Sequence, residues 1–112
     1  MTTDPVESIS ITLLDLFHGA FVSGKAVKLS PTEYRLFKLL ASHPNHPVPD
    51  SSLLGILGEG RLDEIGYRYA KELLTKHIDN LRRKLRRAEI PLSIARVNRY
   101  GYLLIPQGAT RS

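Results

Sequence analysis

The 112-residue sequence predicts a single α+β domain, and three of its features indicate that class. Apolar residues alternate along the first thirty positions, as they do in β-strands. Three segments with the apolar spacing of helices follow, and two further strand-like segments end the pattern. We therefore expect an N-terminal antiparallel sheet, three helices and a C-terminal β-hairpin within residues 9–106, with a flexible lead-in at residues 1–8 and a flexible tail at residues 107–112.

The N-terminal sheet is predicted from alternation and from turn residues. Apolar side chains alternate over residues 9–13 and recur at residues 21–22 and 27–29. His18-Gly19 and Ser23-Gly24-Lys25 are typical turn sequences between them. Three short antiparallel strands follow from this pattern.

The first helix has a clear start signal. Residues 30–33 read Ser-Pro-Thr-Glu, in which the serine can cap the helix, the proline suits its first position and the glutamate completes a capping box. Residues 36–40 supply the buried face, and His43-Pro44-Asn45 ends the helix.

A second, shorter helix is predicted after an extended connector at residues 47–49. Asp50 or Ser51 can cap it, and its apolar residues are expected in the core together with those of the neighbouring helices. Residues 58–60 end it, and residues 61–66 form a mostly charged loop. The expected core residues are Leu36, Phe37, Leu40, Leu54, Leu57, Leu74, Ile78, Leu81 and Leu85.

The third helix, predicted over residues 67–87, has two dissimilar faces. One stripe, spaced by three or four positions, is apolar: Ala70, Leu74, Ile78, Leu81 and Leu85. At about 100° per residue, the opposite side is polar: Glu72, Lys76, Asp79, Asn80, Arg83 and Arg87. One face can therefore dock on a core while the other binds a ligand, and a B-DNA major groove accepts one such helix.

Residues 92–97 and 102–105 predict two strands, with residues 98–101 as a hairpin tip. Two short helices before a longer basic one are typical of a helix-turn-helix, and a hairpin beside the third helix would be a wing. The third helix and the wing would then face the same duplex.

The net charge of +5 is unevenly distributed. Residues 1–75 contain seven Lys/Arg and nine Asp/Glu, whereas residues 76–112 contain nine Lys/Arg and two Asp/Glu. A basic patch of this kind favours nucleic acid and, less often, an anionic membrane. The alternative is a solvated helix end whose cations interact with the helix dipole.

Other classes of protein receive little support from the sequence. It contains no cysteine and four scattered histidines, so we expect no disulfide, metal or cofactor. It has no Ser/His/Asp set, no glycine-rich phosphate loop and no paired carboxylates, so we expect no enzyme. No apolar run approaches the ~20 residues of a membrane span, and residues 1–10 do not resemble a signal peptide. We expect a cytoplasmic protein.

Three segments resemble the OmpR/PhoB-type winged-helix domain, the output half of many bacterial two-component response regulators. Residues 29–40 are similar to its first-helix signature, residues 77–85 to its recognition-helix motif and residues 97–102 to its wing. They occur in the family's order, within a span from Ile9 to Ile105.

The resemblance implies a four-stranded N-terminal sheet and sequence-specific binding of double-stranded DNA to regulate transcription. It also implies two head-to-tail copies on direct repeats, and contact between RNA polymerase and the loop at residues 58–66. No acidic pocket of a phosphorylatable receiver domain precedes residue 9. We therefore expect either an excised output domain or an unconventional regulator.

The resemblance also implies roles for individual residues. Those expected to read bases in the major groove are Lys76, Asp79, Asn80 and Arg83. Those expected at phosphates are His77, Arg82, Arg96 and Tyr102, to which the charge pattern adds Lys84, Arg86 and Arg87. Asn98 lies where family members often place a minor-groove arginine, and Arg99, which follows it in place of the usual glycine, is the other candidate for that role.

Two of these residues have specific chemistry. Asn80 can bond adenine with two hydrogen bonds. Asp79 can accept from a cytosine amine or hold Arg83 one turn on, and the sequence leaves both open.

Two alternative functions are a basic RNA-binding domain and a winged helix that binds an acidic protein. The first would favour a surface cluster of aromatic side chains, which the eight aromatics do not indicate. The second predicts negligible affinity for a duplex.

Overall fold

The computed structural model describes residues 10–58 and 64–106, and it confirms the predicted α+β class and element order. The predicted lead-in and tail lie outside these residues. The elements are β1 (Ile11–Leu14), a 3-10 turn (Asp15–Phe17), β2 (Gly19–Val22), β3 (Lys25–Lys28), α1 (Pro31–Ala41), β4 (Val48–Pro49), α2 (Asp50–Gly58), α3 (Glu64–Arg87), β5 (Leu92–Val97) and β6 (Gly101–Pro106).

The N-terminal sheet has three antiparallel strands in the order β1-β2-β3. The four-stranded sheet implied by the resemblance is wrong for the described part of the chain. After Leu14 the backbone forms the 3-10 turn and passes through a left-handed residue, His18, with φ of 52° before β2 begins. This segment connects two strands and does not extend the sheet.

The predicted capping box at the start of α1 is confirmed. The Ser30 Oγ accepts a hydrogen bond from the Glu33 N–H at 3.1 Å, and the Ser30 N–H donates to Glu33 Oε1 at 2.9 Å. Pro31 occupies the first helical position. The start of α1 is therefore determined locally.

The second sheet has the order β4-β6-β5 and includes the predicted hairpin. The extended connector is confirmed, and two of its residues form β4, with Val48 opposite Tyr102 and Pro49 opposite Gly101. The approach is so close that a Cβ on Gly101 would lie 1.8 Å from the Val48 carbonyl oxygen. Glycine is therefore required where β6 pairs with β4, directly before α2.

The third helix begins at Glu64, three residues before the predicted start at Tyr67. Residues 64–66 are thus helical, which corrects their assignment to a loop, and residues 59–63 lie outside the described part of the chain. The apolar spacing does not mark this beginning because the buried stripe starts only at Ala70.

The core cluster contains residues of all three helices and of both sheets. The predicted stripe of α3 is buried throughout, each residue being at most 5% exposed: Ala70, Leu74, Ile78, Leu81 and Leu85. It packs with Phe37 and Leu40 of α1, Leu54 of α2 and Ile94 of β5 in one cluster. Leu57, expected in the core, is only partly buried at its edge. Among the described helices, none is long and apolar enough to cross a membrane.

Candidate nucleic-acid interface

The face of α3 opposite the buried stripe carries the predicted base-reading residues. Lys76, Asp79 and Arg83 are exposed, and Asn80 is half-buried. Their spacing of three, one and three positions places them along one side of the helix. The structure thus brings these four residues together.

Two hydrogen bonds organise this face. Arg82 Nη1 donates to Asp79 Oδ1 at 3.0 Å, and Arg83 Nη1 donates to Asn80 Oδ1 at 2.8 Å. Asp79 therefore holds Arg82, and the proposed contact between Asp79 and Arg83 is not formed. Pairs of this kind at a helix surface stabilise by less than about 1 kcal/mol, so a base can compete for either side chain.

Arg82 lies on one flank of α3 and joins it to β5. Its Nε and Nη2 both donate to the Ile94 carbonyl, at 3.0 and 2.8 Å. Its guanidinium also lies 5.8 Å from the centre of the Tyr102 ring. This arginine therefore holds the hairpin against the helix.

Lys84, on the other flank, binds the start of α1. Its Nζ lies 2.7 Å from Glu33 Oε1, and the Glu33 side chain is only 5% exposed. Burial raises the pKa of Glu33, but the hydrogen bonds from Lys84 and from the Ser30 N–H lower that pKa more strongly, so it lies below its usual range. Lys84 thus compensates the negative charge of the buried Glu33 carboxylate.

Arg96 and Tyr102 form a cross-strand pair in the wing. The Arg96 guanidinium lies 4.8 Å from the Tyr102 ring centre and binds Asp50 through two hydrogen bonds, at 2.8 and 3.0 Å. The hydrogen bond to Asp50 is the main reason that the pKa of Arg96 is raised. The Tyr102 ring itself is buried.

The remaining predicted contacts differ in exposure. Arg86 and Arg87 are exposed at the end of α3. His77 is half-buried, and its Nδ1 has no hydrogen-bond partner among the described residues. At the wing tip, Asn98 and Arg99 are exposed, and Arg99 has a left-handed φ of 56°.

Sequence reasoning missed two acidic residues that organise this region, Glu33 and Asp50. The capping box located Glu33 but not its partner Lys84, because the two are 51 positions apart. The sequence indicates Asp50 only as a possible helix cap, whereas its carboxylate binds Arg96, 46 positions away. No group of three or more potential metal ligands occurs in the described ranges.

This arrangement defines the class of protein. It is a helix-turn-helix domain of three helices in which α3 presents a basic face, and a C-terminal hairpin is bound beside α3. The family model described as "Transcriptional regulatory protein, C terminal" matches residues 24–104. The chain therefore belongs to this family, the OmpR/PhoB-type DNA-binding domains of response regulators, and it is a DNA-binding domain that regulates transcription. This family is not a class of enzymes.

Similar solved structures include the C-terminal domain of the nisin resistance regulator NsrR, a lantibiotic response regulator, with 29% identity and a TM-score of 0.64 over 88% of this chain and 94% of that chain. The DNA-binding domain of RstA from Klebsiella pneumoniae has 27% identity and a TM-score of 0.63 over 95% and 94%.

A third similar structure is the DNA-binding domain of the response regulator AdeR in complex with an intercistronic region. It has 18% identity and a TM-score of 0.66 over 95% of this chain and 98% of that chain, and it supports the fold alone. The comparison with curated proteins found no match.

Proposed function

We propose that the chain recognises a specific duplex by placing the exposed face of α3 in the major groove and the tip of the β5–β6 hairpin in the adjacent minor groove. The observation that carries this proposal is the division of α3. One stripe is buried from Ala70 to Leu85, while Lys76 and Arg83 remain exposed on the opposite side.

In this arrangement Arg83 and Asn80 read bases. Arginine bonds guanine and asparagine bonds adenine with paired hydrogen bonds, each worth about 1–3 kcal/mol of discrimination. The hydrogen bond of 2.8 Å between these two side chains orients them before DNA binds. Lys76 and Asp79 complete the base-reading face, with Asp79 able to accept from a cytosine amine.

Arg86 and Arg87 are the phosphate contacts that their exposure supports best. His77 can donate to a phosphate through its second ring nitrogen. Arg82 and Lys84 add positive charge at the flanks of α3, although both already bind protein groups. At the wing tip, exposed Asn98 and Arg99 supply the minor-groove contact.

We further propose that two copies bind head to tail on direct repeats and that the segment at residues 58–66 contacts RNA polymerase, as the resemblance implies. Of this segment, residues 64–66 form the first turn of α3. The exposed Tyr67 and Tyr69 follow immediately. The protein would act in the cytoplasm, where a bacterial chromosome lies.

Selection from a random duplex library tests the proposal. We expect an enriched motif, repeated at about one helical turn (~10–10.5 bp) if two copies bind side by side. Bound sites without enrichment would contradict base reading. Failure to bind duplex would favour an acidic protein partner, and stronger binding to an RNA competitor would favour the RNA-binding alternative.

Two variants separate base reading from general attraction. Asn80→Ala should relax one base position of the motif and weaken binding to the selected site by about 1–3 kcal/mol. Arg35→Ala removes an exposed cation from α1 and serves as a matched surface control, with an unchanged motif. If Asn80→Ala leaves every position of the motif intact, Asn80 does not read a base.

A further inference from the structure

The ion pair between Asp50 and Arg96 joins the two halves of the DNA-binding unit. Asp50 is the first residue of α2, Arg96 lies in β5, and the Asp50 side chain is 11% exposed. Nη1 and Nη2 of the arginine donate to separate carboxylate oxygens, at 2.8 and 3.0 Å. Such a two-point contact fixes orientation as well as distance.

Backbone and ring contacts surround this pair. The Asp50 N–H donates to the Tyr100 carbonyl at 2.8 Å, so the start of α2 is bonded to the wing through main chain and side chain together. The Arg96 guanidinium stacks on Tyr102, and Lys71 Nζ of α3 lies 3.8 Å from Asp50 Oδ2. Contacts from α2, α3, β5 and β6 therefore meet at one carboxylate and one guanidinium.

We propose that the Asp50–Arg96 pair is a positioning device that sets the orientation of the wing relative to the helix-turn-helix. Arg96 then supports minor-groove binding by holding the hairpin and does not serve as a phosphate contact. The consequence for DNA rests on the proposed function, whereas the orientation itself is a property of the protein alone.

The charge of Asp50 makes the two roles of Arg96 distinguishable. A carboxylate near a phosphate-binding surface weakens binding by repulsion and occupies the guanidinium. If Arg96 were a phosphate contact, Asp50→Asn would release it, remove a negative charge and tighten binding. If the pair positions the wing, the same variant loosens the hairpin and weakens binding. The two roles predict opposite signs.

The experiment compares Asp50→Asn with Glu89→Gln on the selected duplex. Glu89 is exposed and pairs with Lys25 at 3.6 Å, so its variant also removes one negative charge and breaks an ion pair. By contrast, Asp50→Asn affects the pairs with both Arg96 and Lys71. We expect Asp50→Asn to weaken binding roughly tenfold, equal to about 1.4 kcal/mol. It should lose hydroxyl-radical protection in the minor groove while guanine N7 protection in the major groove persists, and Glu89→Gln should retain both.

Arg96→Lys provides a second test that keeps the positive charge but loses the two-point contact. We expect it to lose minor-groove protection as Asp50→Asn does, with an unchanged dependence of affinity on salt. Tighter binding by Asp50→Asn, or intact minor-groove protection in Arg96→Lys, would overturn the proposal. Thermal melts show whether each variant is folded. If Asp50→Asn is unfolded, Arg96→Lys alone tests the proposal.

A measurement without DNA separates this proposal from the proposed function. Residual dipolar couplings of the protein alone should show the β5–β6 hairpin reoriented or averaged relative to α3 in Arg96→Lys, and unchanged in Glu89→Gln. Identical couplings in Arg96→Lys and the parent protein would overturn the positioning role even if DNA binding is confirmed. Absence of duplex binding by the parent protein would instead contradict the proposed function.

Discussion

Glu33 serves two structural purposes with one carboxylate, since it closes the capping box of α1 and binds Lys84 of α3. Its pKa is held below the value of the unfolded chain by the hydrogen bonds that outweigh burial. A lowered pKa means that the folded state favours the charged form. The resulting stability is present above the unfolded pKa, near 4.5, and is lost as pH falls through the folded pKa.

Glu33→Gln should therefore lower the free energy of unfolding at pH 7 by about 1.5–3 kcal/mol, the range for a hydrogen bond to a charged group. The amide keeps an acceptor for the Ser30 N–H, so the capping box is retained in the variant. Urea unfolding at pH 7 and across the acid range measures both effects. The parent protein should lose stability below pH 4.5 more steeply than the variant, and equal pH dependence would contradict the role of Glu33.

Arg99 has a backbone conformation that favours glycine, with φ of 56° at the wing tip. A non-glycine residue in this region costs roughly 1 kcal/mol. Such strain is commonly retained at positions that contribute to function.

Arg99→Gly should leave the thermal melting temperature unchanged or raise it, while weakening binding to the selected duplex. The substitution relieves the backbone strain at position 99, and it also removes the cation proposed to contact the minor groove. Calorimetry and a binding titration on the same sample check the two effects. Arg35→Ala, which removes an exposed cation from α1, is the control, and unaltered affinity of Arg99→Gly would show that Arg99 does not contact DNA.

At the scale of secondary-structure elements, two glycines that look alike in the sequence have opposite requirements. A Cβ on Gly101 would collide with the Val48 carbonyl oxygen, whereas nothing lies within 4 Å of a Cβ on Gly55 in α2. Gly101→Ala should destabilise by more than about 3 kcal/mol because backbone must move. Gly55→Ala should stabilise by about 0.5–1 kcal/mol through helix propensity. Chemical denaturation tests both, and tolerance of Gly101→Ala would contradict the close β4–β6 approach.

The contact between α3 and β5 depends on Arg82. Replacing Arg82 by alanine removes two hydrogen bonds to the Ile94 carbonyl and should cost about 2 kcal/mol of stability. Arg87→Ala, which removes an exposed cation from the same helix, should change stability by less than about 0.5 kcal/mol. Urea unfolding of the two variants measures this difference. Equal losses would mean that Arg82 does not anchor the hairpin.

Local elements of the fold are the ones that sequence predicts well. The Ser30 capping box and the buried stripe of α3 were both predicted because their signals lie within one or a few turns of helix. The apolar spacing predicts too late a start for α3 because the first turn of the helix precedes the buried stripe. The sequence does not predict the ion pairs Lys84–Glu33 and Arg96–Asp50. They depend on how elements that are distant in the sequence pack together, and residue spacing carries no information on that packing.

At the scale of the whole molecule, the positive charge of residues 76–112 is divided between two tasks. Arg82, Lys84 and Arg96 bind protein groups, whereas Arg86 and Arg87 project outward. The charge asymmetry counted in the sequence indicates a nucleic-acid partner. The charge count does not distinguish cations that stabilise the fold from cations available to DNA, because both groups consist of lysines and arginines.

Affinity for duplex should fall with salt, with a log–log slope of about −0.9 for each phosphate neutralised. Arg87→Ala should make that slope shallower by about 0.9, and Arg35→Ala on α1 should leave it unchanged. Titrations at several salt concentrations provide the slopes. A flat response in the parent protein would mean that binding does not involve phosphates.

The pairing of β4 with β6 closes a loop in the chain that contains both α2 and α3. Val48 pairs with Tyr102 across that loop, so β6 of the hairpin and the start of α2 are held together by residues that are far apart in the sequence. Opening of the hairpin then releases the start of α2 as well. The wing amides and the first amides of α2 should therefore exchange with solvent at a common rate, as a single cooperative unit.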